Sequence, residues 1–204
     1  MKPADPSLLH AIEAVVPGGV RSRAVDRLAM AHDASHYLLV PQAVVAPADA
    51  GQLAGLLRVA ARHGVALTFR SGGTSLSGQA VCGGVMVDTR RHFREVEVLD
   101  GGARVRVQPG VTVRQVNARL APYRRRLGPD PASESACTVG GMVANNSSGM
   151  ACGTESNTYR TLESLVLVLL SVSANRTCEI GMSRATGRPY RHLLEVVEEL
   201  TRPR

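Results

Sequence analysis

Apolar residues first recur at helical spacing. Leu8, Leu9, Ile12, Val15 and Val16 share one face, and Pro17-Gly18-Gly19 ends the pattern. An irregular stretch then leads to Val44-Val45-Ala46, a short apolar run stopped by Pro47 that reads as a strand. Asp49 stands where it can cap a helix over 50–63. Leu53, Leu56, Leu57 and Ala60 mark that helix's apolar face, and Gly64 occupies the usual closing position. Val65-Ala66-Leu67-Thr68-Phe69 follows as a second strand. Strand, helix and strand in this order predict a parallel pair.

The next apolar run, Val85-Met86-Val87, reads as a strand. Val96 and Val98, then Val105 and Val107, alternate with polar residues on either side of Asp100-Gly101-Gly102, the pattern of a hairpin. Pro109-Gly110 breaks its second strand. Thr112 can cap a helix carrying Val113, Val116 and Leu120. Residues 127–160 are rich in Gly, Pro, Ser, Thr and Asn and read as loop with a single turn of helix. Residues 162–170 read as a buried strand, and the tail closes in an amphipathic helix through Leu193, Leu194, Val197 and Leu200. The class is mixed α and β.

Composition narrows the possibilities. The chain has 204 residues, 44% hydrophobic and 20% charged, which suits a globular domain with a real core. Aromatics make up only 3% and Trp is absent, so Ala, Val and Leu must build that core. The longest apolar run, 165–170, is far short of the roughly 20 residues a bilayer-spanning helix needs, so no membrane span is expected. Met1-Lys2-Pro3-Ala4-Asp5 has no apolar stretch behind its Lys, so no secretory leader is expected either. The net charge of +7 comes from Arg, Lys2 being the only Lys. Those arginines are scattered, the densest group being Arg124-Arg125-Arg126, and no nucleic-acid-reading motif accompanies them, so nucleic acid is not an expected partner. Cys82, Cys137, Cys152 and Cys178 form no C-x-x-C pair, and neither they nor the six histidines predict a metal site. Free thiols fit a reducing cytoplasm.

Two segments carry candidate chemistry. Arg70-Ser71-Gly72-Gly73-Thr74-Ser75-Leu76-Ser77-Gly78-Gln79 directly follows a predicted strand. Paired glycines allow positive φ and close approach of the backbone to a ligand, and successive N–H groups in such a turn make an anion site. A pyrophosphate is the natural guest. The segment lacks the lysine of G-x-x-x-x-G-K-[ST] and the spacing of G-x-G-x-x-G, which disfavours a Walker loop and a nicotinamide site. The second segment is Gly128-Pro129-Asp130-Pro131-Ala132-Ser133, then Cys137-Thr138-Val139-Gly140-Gly141-Met142-Val143-Ala144-Asn145-Asn146-Ser147-Ser148-Gly149. Long loops of small hydrogen-bonding residues inside a domain are usually functional. Two such loops point to one extended ligand lying along both.

From about Arg21 to Leu170 the chain resembles the FAD-binding domain of the vanillyl-alcohol-oxidase and para-cresol-methylhydroxylase family. Within it, the D-lactate dehydrogenase, glycolate oxidase D-subunit and D-2-hydroxyglutarate dehydrogenase branch is the nearest likeness. Pro41-Gln42-Ala43-Val44-Val45, with Pro47 and Asp49, is similar to the segment that opens that domain. Residues 69–79 resemble its pyrophosphate loop, and 129–133 with 138–149 its second flavin-contacting segment. Asp33-Ala34-Ser35-His36-Tyr37 and Asn145-Asn146-Ser147-Ser148-Gly149 look like the large forms that add a C-terminal iron–sulfur module.

The resemblance implies an α+β, PCMH-type FAD-binding fold of two α/β subdomains with the cofactor between them. Arg70, Ser71, Gly72, Gly73, Thr74, Ser75, Leu76 and Ser77 would hold the pyrophosphate region. Pro129, Asp130, Ser133, Thr138, Val139, Gly140 and Gly141 would line the route to the ring, with Asn145, Asn146, Ser148 and Gly149 further along. Thr74 stands where some relatives carry a flavin-tethering His, so FAD is expected to bind non-covalently. The implied substrate is a small 2-hydroxy acid, D-lactate- or glycolate-like, its hydride passing to flavin N5. A C-terminal cap domain would supply the carboxylate clamp and base. No residue of this chain is assigned a catalytic role.

The likeness stops at Leu170. Leu169-Leu170-Ser171-Val172-Ser173 lacks the Leu-Pro-x-Gly-like turn of the family, and nothing in 171–204 matches its third cofactor segment or cap. The expected organisation is a helical lead-in over 1–35, an incomplete FAD-binding domain over 36–170 and a divergent tail over 171–204, in a truncated or frameshifted member. The alternative to an FAD-binding oxidoreductase domain is a non-catalytic remnant that binds FAD weakly or not at all.

Overall fold

In the computed structural model, which describes residues 4–166, Asp5 accepts the Ser7 N–H at 2.8 Å and caps helix α1 (Pro6–Val15). Pro6 fills the first turn, where its missing N–H costs nothing. The apolar face of α1 is buried. Leu8 and Ile12, with Val16 just beyond, are packed into one cluster with Val45, Leu56, Val59, Val85 and Val87.

That cluster is the core of a four-stranded sheet made of β1 (Val20–Arg21), β2 (Ala43–Val45), β3 (Leu67–Arg70) and β4 (Val85–Asp88), in the order β1-β2-β4-β3. A short helix, α2 (Ala24–Leu28), follows β1. Helix α3 (Ala50–His63) connects β2 to β3 as the sequence predicts: Asp49 accepts the Gln52 N–H at 2.8 Å, and Gly64 closes the helix at φ +61°. The two strands flanking α3 do run parallel, yet they are not neighbours. β4 inserts between them, with Val85 paired to Ala43 on one side and Leu67 on the other. Val85, Met86 and Val87 are completely buried and Ala43, Val44 and Val45 almost so, as expected of apolar runs in the two interior strands, where both faces and both edges are covered.

The second half is built on a hairpin. β5 (Val96–Leu99) and β6 (Arg104–Val107) pair with Val96 opposite Val107 and Val98 opposite Val105. The connection is a short 3₁₀ turn over Asp100–Gly102, with Gly101 and Gly102 at positive φ. Helix α4 (Val113–Leu120) begins in a complete capping box. Thr112 Oγ1 accepts the Gln115 N–H, and Gln115 Oε1 accepts the Thr112 N–H. Val111, Val116 and Leu120 then pack on the hairpin valines as a second core. A third, small cluster of Val113, Cys137 and Met142 joins this half to the loop beyond.

Two expectations need correction. The glycine-rich second segment holds more than one turn of helix: α5 (Val139–Asn145) spans seven residues, and α6 (Thr158–Thr161) follows. Paired glycines lower helix propensity, but the Thr138 cap and burial of Met142 outweigh it. Residues 162–166 are not a buried strand. They are irregular, with Leu165 partly exposed and Val166 almost fully so. The rest of that expected strand and the amphipathic tail helix through Leu193, Leu194, Val197 and Leu200 lie outside the described residues.

Candidate functional site

The first loop leaves the carboxyl end of β3, the edge at which α/β sheets bind ligands. Its entry is fixed by Ser71, whose hydroxyl lies 2.6 Å from that of Thr89; the Thr89 N–H and hydroxyl both donate to the Arg70 carbonyl. Its far end is tightened by Ser75 Oγ, which accepts the N–H groups of Ser77 and Gln79 and donates to Gln79 Oε1. Between these anchors, the main-chain N–H groups of Gly72, Gly73, Thr74, Ser75 and Leu76 have no hydrogen-bond partner among the described residues. Residues 72–75 are half-buried. Leu76 is exposed, so these five consecutive donors are accessible from solvent and open to an incoming ligand. They suit an anion with several oxygens.

Arg70 is directed elsewhere. Its guanidinium donates to the carbonyls of Met30 at 3.1 Å and Ala80 at 3.2 Å, and lies where a side chain on Gly73 would have to go. Gly73 stands at φ +66°, so it meets both a conformational and a steric requirement for glycine. Burial pushes the Arg70 pKa down, with Asp33 acting against it.

The second loop is folded on itself by its polar side chains. The Asp130 N–H donates to the Ser148 carbonyl at 2.8 Å, and Asp130 Oδ1 accepts the Cys152 N–H at 3.1 Å. Gly149, at φ +83°, lies flat against Asp130, where a Cβ would be 2.6 Å from Oδ1. Asn146, left-handed at the end of α5, accepts the Tyr159 N–H; Ser148 Oγ accepts the Thr158 N–H and donates to the Asn146 carbonyl. Ser133 gives its carbonyl to the N–H groups of Ala136 and Cys137. Pro129 is buried beside Asp130.

At the start of α5 the donors are already used. The Val139 N–H bonds the Val111 carbonyl, the Gly140 N–H the Pro109 carbonyl, and the Gly141 N–H the Thr138 hydroxyl. A Cβ on Gly140 would lie 2.5 Å from that of Pro109, whereas one on Gly141 would meet nothing nearer than 3.6 Å. What Gly141 offers a ligand is therefore an open backbone surface rather than a hydrogen bond.

The two loops meet. A side chain on Gly72 would collide with the Ala136 carbonyl oxygen and lie 3.0 Å from the Cys137 Cα. Further out, Asn145 Nδ2 donates to Gln79 Oε1 at 3.3 Å. The two glycine-rich segments are thus brought side by side, one following β3 and the other running into α5.

Sequence reasoning missed the residues that brace the first loop. Asp33 Oδ2 accepts the Ala80 N–H at 3.3 Å, while Oδ1 accepts the N–H and hydroxyl of Ser35. Burial raises the Asp33 carboxyl, but these hydrogen bonds and the Arg70 charge more than reverse it and hold it below the ordinary value. The Tyr37 ring packs where a Gly78 side chain would stand. Asp-x-Ser is an Asx-turn pattern and was the available signal at Asp33. His32 and His36 stand four apart, but their segment is bends and an isolated bridge from His32 to Leu38, so helical geometry does not align them. Among the described residues no group of three or more His, Cys, Asp or Glu could hold a metal. Arg124, Arg125 and Arg126 are exposed, with Arg126 Nη2 at 4.0 Å from Asp130 Oδ2. No helix among the described residues is long and apolar enough to cross a membrane.

Comparison with known proteins agrees with this geometry. A family model described as FAD binding domain matches residues 41–171. D-2-hydroxyglutarate dehydrogenase of Escherichia coli (strain K12) is 36% identical over 136 residues, which is 65% of this chain and 13% of that protein. The glycolate oxidase subunit GlcD of the same strain is 37% identical over 120 residues, 58% of this chain and 24% of that subunit. The solved structure of p-cresol methylhydroxylase with substrate bound shares the fold at a TM-score of 0.60 and 16% identity, covering 69% of this chain and 29% of that one. The chain spans less than a third of each of these proteins.

Proposed function

Because the chain belongs to the FAD-binding domain family, we propose that its two glycine-rich loops hold FAD and that the domain serves the FAD-linked oxidation of a small 2-hydroxy acid. The observation that carries the reading is the row of partnerless N–H groups over residues 72–76, at the carboxyl end of β3 and against the second loop. A pyrophosphate has the charge and the number of oxygens to engage such a row, and the glycines keep side chains out of its path.

In this reading residues 71–77 bind the pyrophosphate region. Pro129, Asp130, Ser133 and residues 138–141 line the way to the ring, Gly141 providing close approach, and Asn145, Asn146, Ser148 and Gly149 extend the wall. Thr74 offers no nucleophile suited to a flavin tether, so the association is non-covalent. Bound FAD supplies the acceptance of a hydride; the chain's own part is to bind, orient and exclude water. The 2-hydroxy-acid substrate rests on the names of the relatives, D-2-hydroxyglutarate dehydrogenase and glycolate oxidase subunit. The base and the carboxylate clamp for it are assigned to a cap domain rather than to residues described here. We place the cofactor-binding part at 36–170, with α1 and β1 of the lead-in over 1–35 packed into the same core and the tail over 171–204 beyond it, and the protein in the cytoplasm.

The test is the visible absorption spectrum of the purified chain before and after addition of FAD and gel filtration. A flavin band that co-elutes with the protein and is released on denaturation is the expected result. A colourless protein that leaves added FAD free would overturn the proposal.

A further inference from the structure

The first loop is gripped from outside the stretch that matches the family, which begins at residue 41. Ala80 is held on both sides of its backbone: its N–H by the Asp33 carboxylate at 3.3 Å, its carbonyl by the Arg70 guanidinium at 3.2 Å. The same guanidinium bonds the Met30 carbonyl at 3.1 Å and lies 2.5 Å from where a Gly73 Cβ would stand, so it ties the lead-in, Gly73 and Ala80 together. Asp33 is itself fixed by the N–H and hydroxyl of Ser35. Two opposite charges thus close the loop at a single residue, and the five partnerless N–H groups lie within the closed segment.

Building on the FAD-site reading above, we infer that Asp33 and Arg70 are positioning residues. By gripping Ala80 they set the curvature of residues 72–76 and so the spacing of the N–H groups that receive the pyrophosphate. Arg70, charged and next to an anion site in sequence, acts through the loop rather than on the ligand. The lead-in takes part in cofactor affinity without touching the cofactor.

The experiment uses the full 204-residue chain with Asp33→Asn, Arg70→Lys and the double variant. FAD affinity is read from flavin fluorescence, ADP affinity by calorimetry, and folding from the melting temperature. Each single variant should weaken FAD and ADP about tenfold, the scale of one lost charge-assisted hydrogen bond, with a fall of only a few degrees in the melting temperature. Because both residues act through Ala80, the double variant should also lose about tenfold rather than about a hundredfold. Multiplying losses, or a fall in melting temperature with FAD affinity intact, would overturn the inference. Unaltered affinity in the variants, with FAD still bound by the parent chain, would overturn it alone. Failure of the parent chain to bind FAD would remove the proposed function and this inference together.

Discussion

Gly72 of the first loop and Ala136 of the second touch through their backbones, with no room for a side chain between them. Since the Ala136 carbonyl belongs to a turn closed by Ser133, it cannot swing away freely. Gly72→Val should therefore separate the loops. The expected cost is about 1–3 kcal/mol of stability, as for overpacking at a tight site, with a larger proportional loss of FAD binding. Urea denaturation and flavin titration on the same preparation check it. Gly141→Ala, at the open position, should leave stability nearly unchanged.

Thr138 caps α5 through a bond to the Gly141 N–H and is itself buried. Thr138→Ala should cost about 1–2 kcal/mol, the range of lost N-caps. At Thr112 the cap is part of a reciprocal box, so Thr112→Ala should cost a similar amount. Only the Thr138 change should also impair FAD binding, because Thr138 belongs to the second glycine-rich segment and Thr112 does not. Melting curves with and without FAD separate the two effects.

Asp33 titrates below its ordinary value in the folded chain. A lowered carboxyl stabilises the fold above the unfolded value, and that contribution is lost as pH falls through the folded one. The urea midpoint should therefore fall as the solution is acidified below about pH 4, the ordinary carboxylate range. The fall should be shallower in Asp33→Asn. An identical pH profile in the two proteins would show that this carboxylate carries no linkage.

Burial pushes the Cys137 thiol up, only partly opposed by Ser133, whereas Cys82 and Cys152 are less enclosed. Thiolate is the reactive form, so Cys137 should be alkylated at least about tenfold more slowly than Cys82 at pH 8. Peptide mass spectrometry after iodoacetamide treatment reads each site, and unfolding in urea should remove the difference.

Much of this architecture was legible in the order of residues. The Asp49 and Thr112 caps, the closing Gly64 and the paired valines of the hairpin are interactions within a few residues or across one turn, and such interactions are written in local sequence. The two glycine-rich segments stood out for the same reason. Other features were hidden because their causes are not local. The α5 helix forms in spite of Gly140-Gly141, on the strength of a cap and of Met142 packing against Val113 and Cys137. β4, a strand from later in the chain, separates β2 from β3, a pairing order that no single strand's residues dictate.

The site divides in the same way. Sequence by itself determined that two loops of small residues could approach an extended anionic ligand, since glycine's freedom and the hydroxyls' donors belong to the residues themselves. Only the tertiary structure decided which donors stay available. Residues 139–141 spend their N–H groups on Val111, Pro109 and Thr138, while residues 72–76 keep theirs. Only the tertiary structure, too, turned Arg70 away toward Ala80 and Met30 and set Asp33 opposite it. Those assignments depend on groups 10 to 47 residues apart in the chain, and long-range packing alone brings them within reach.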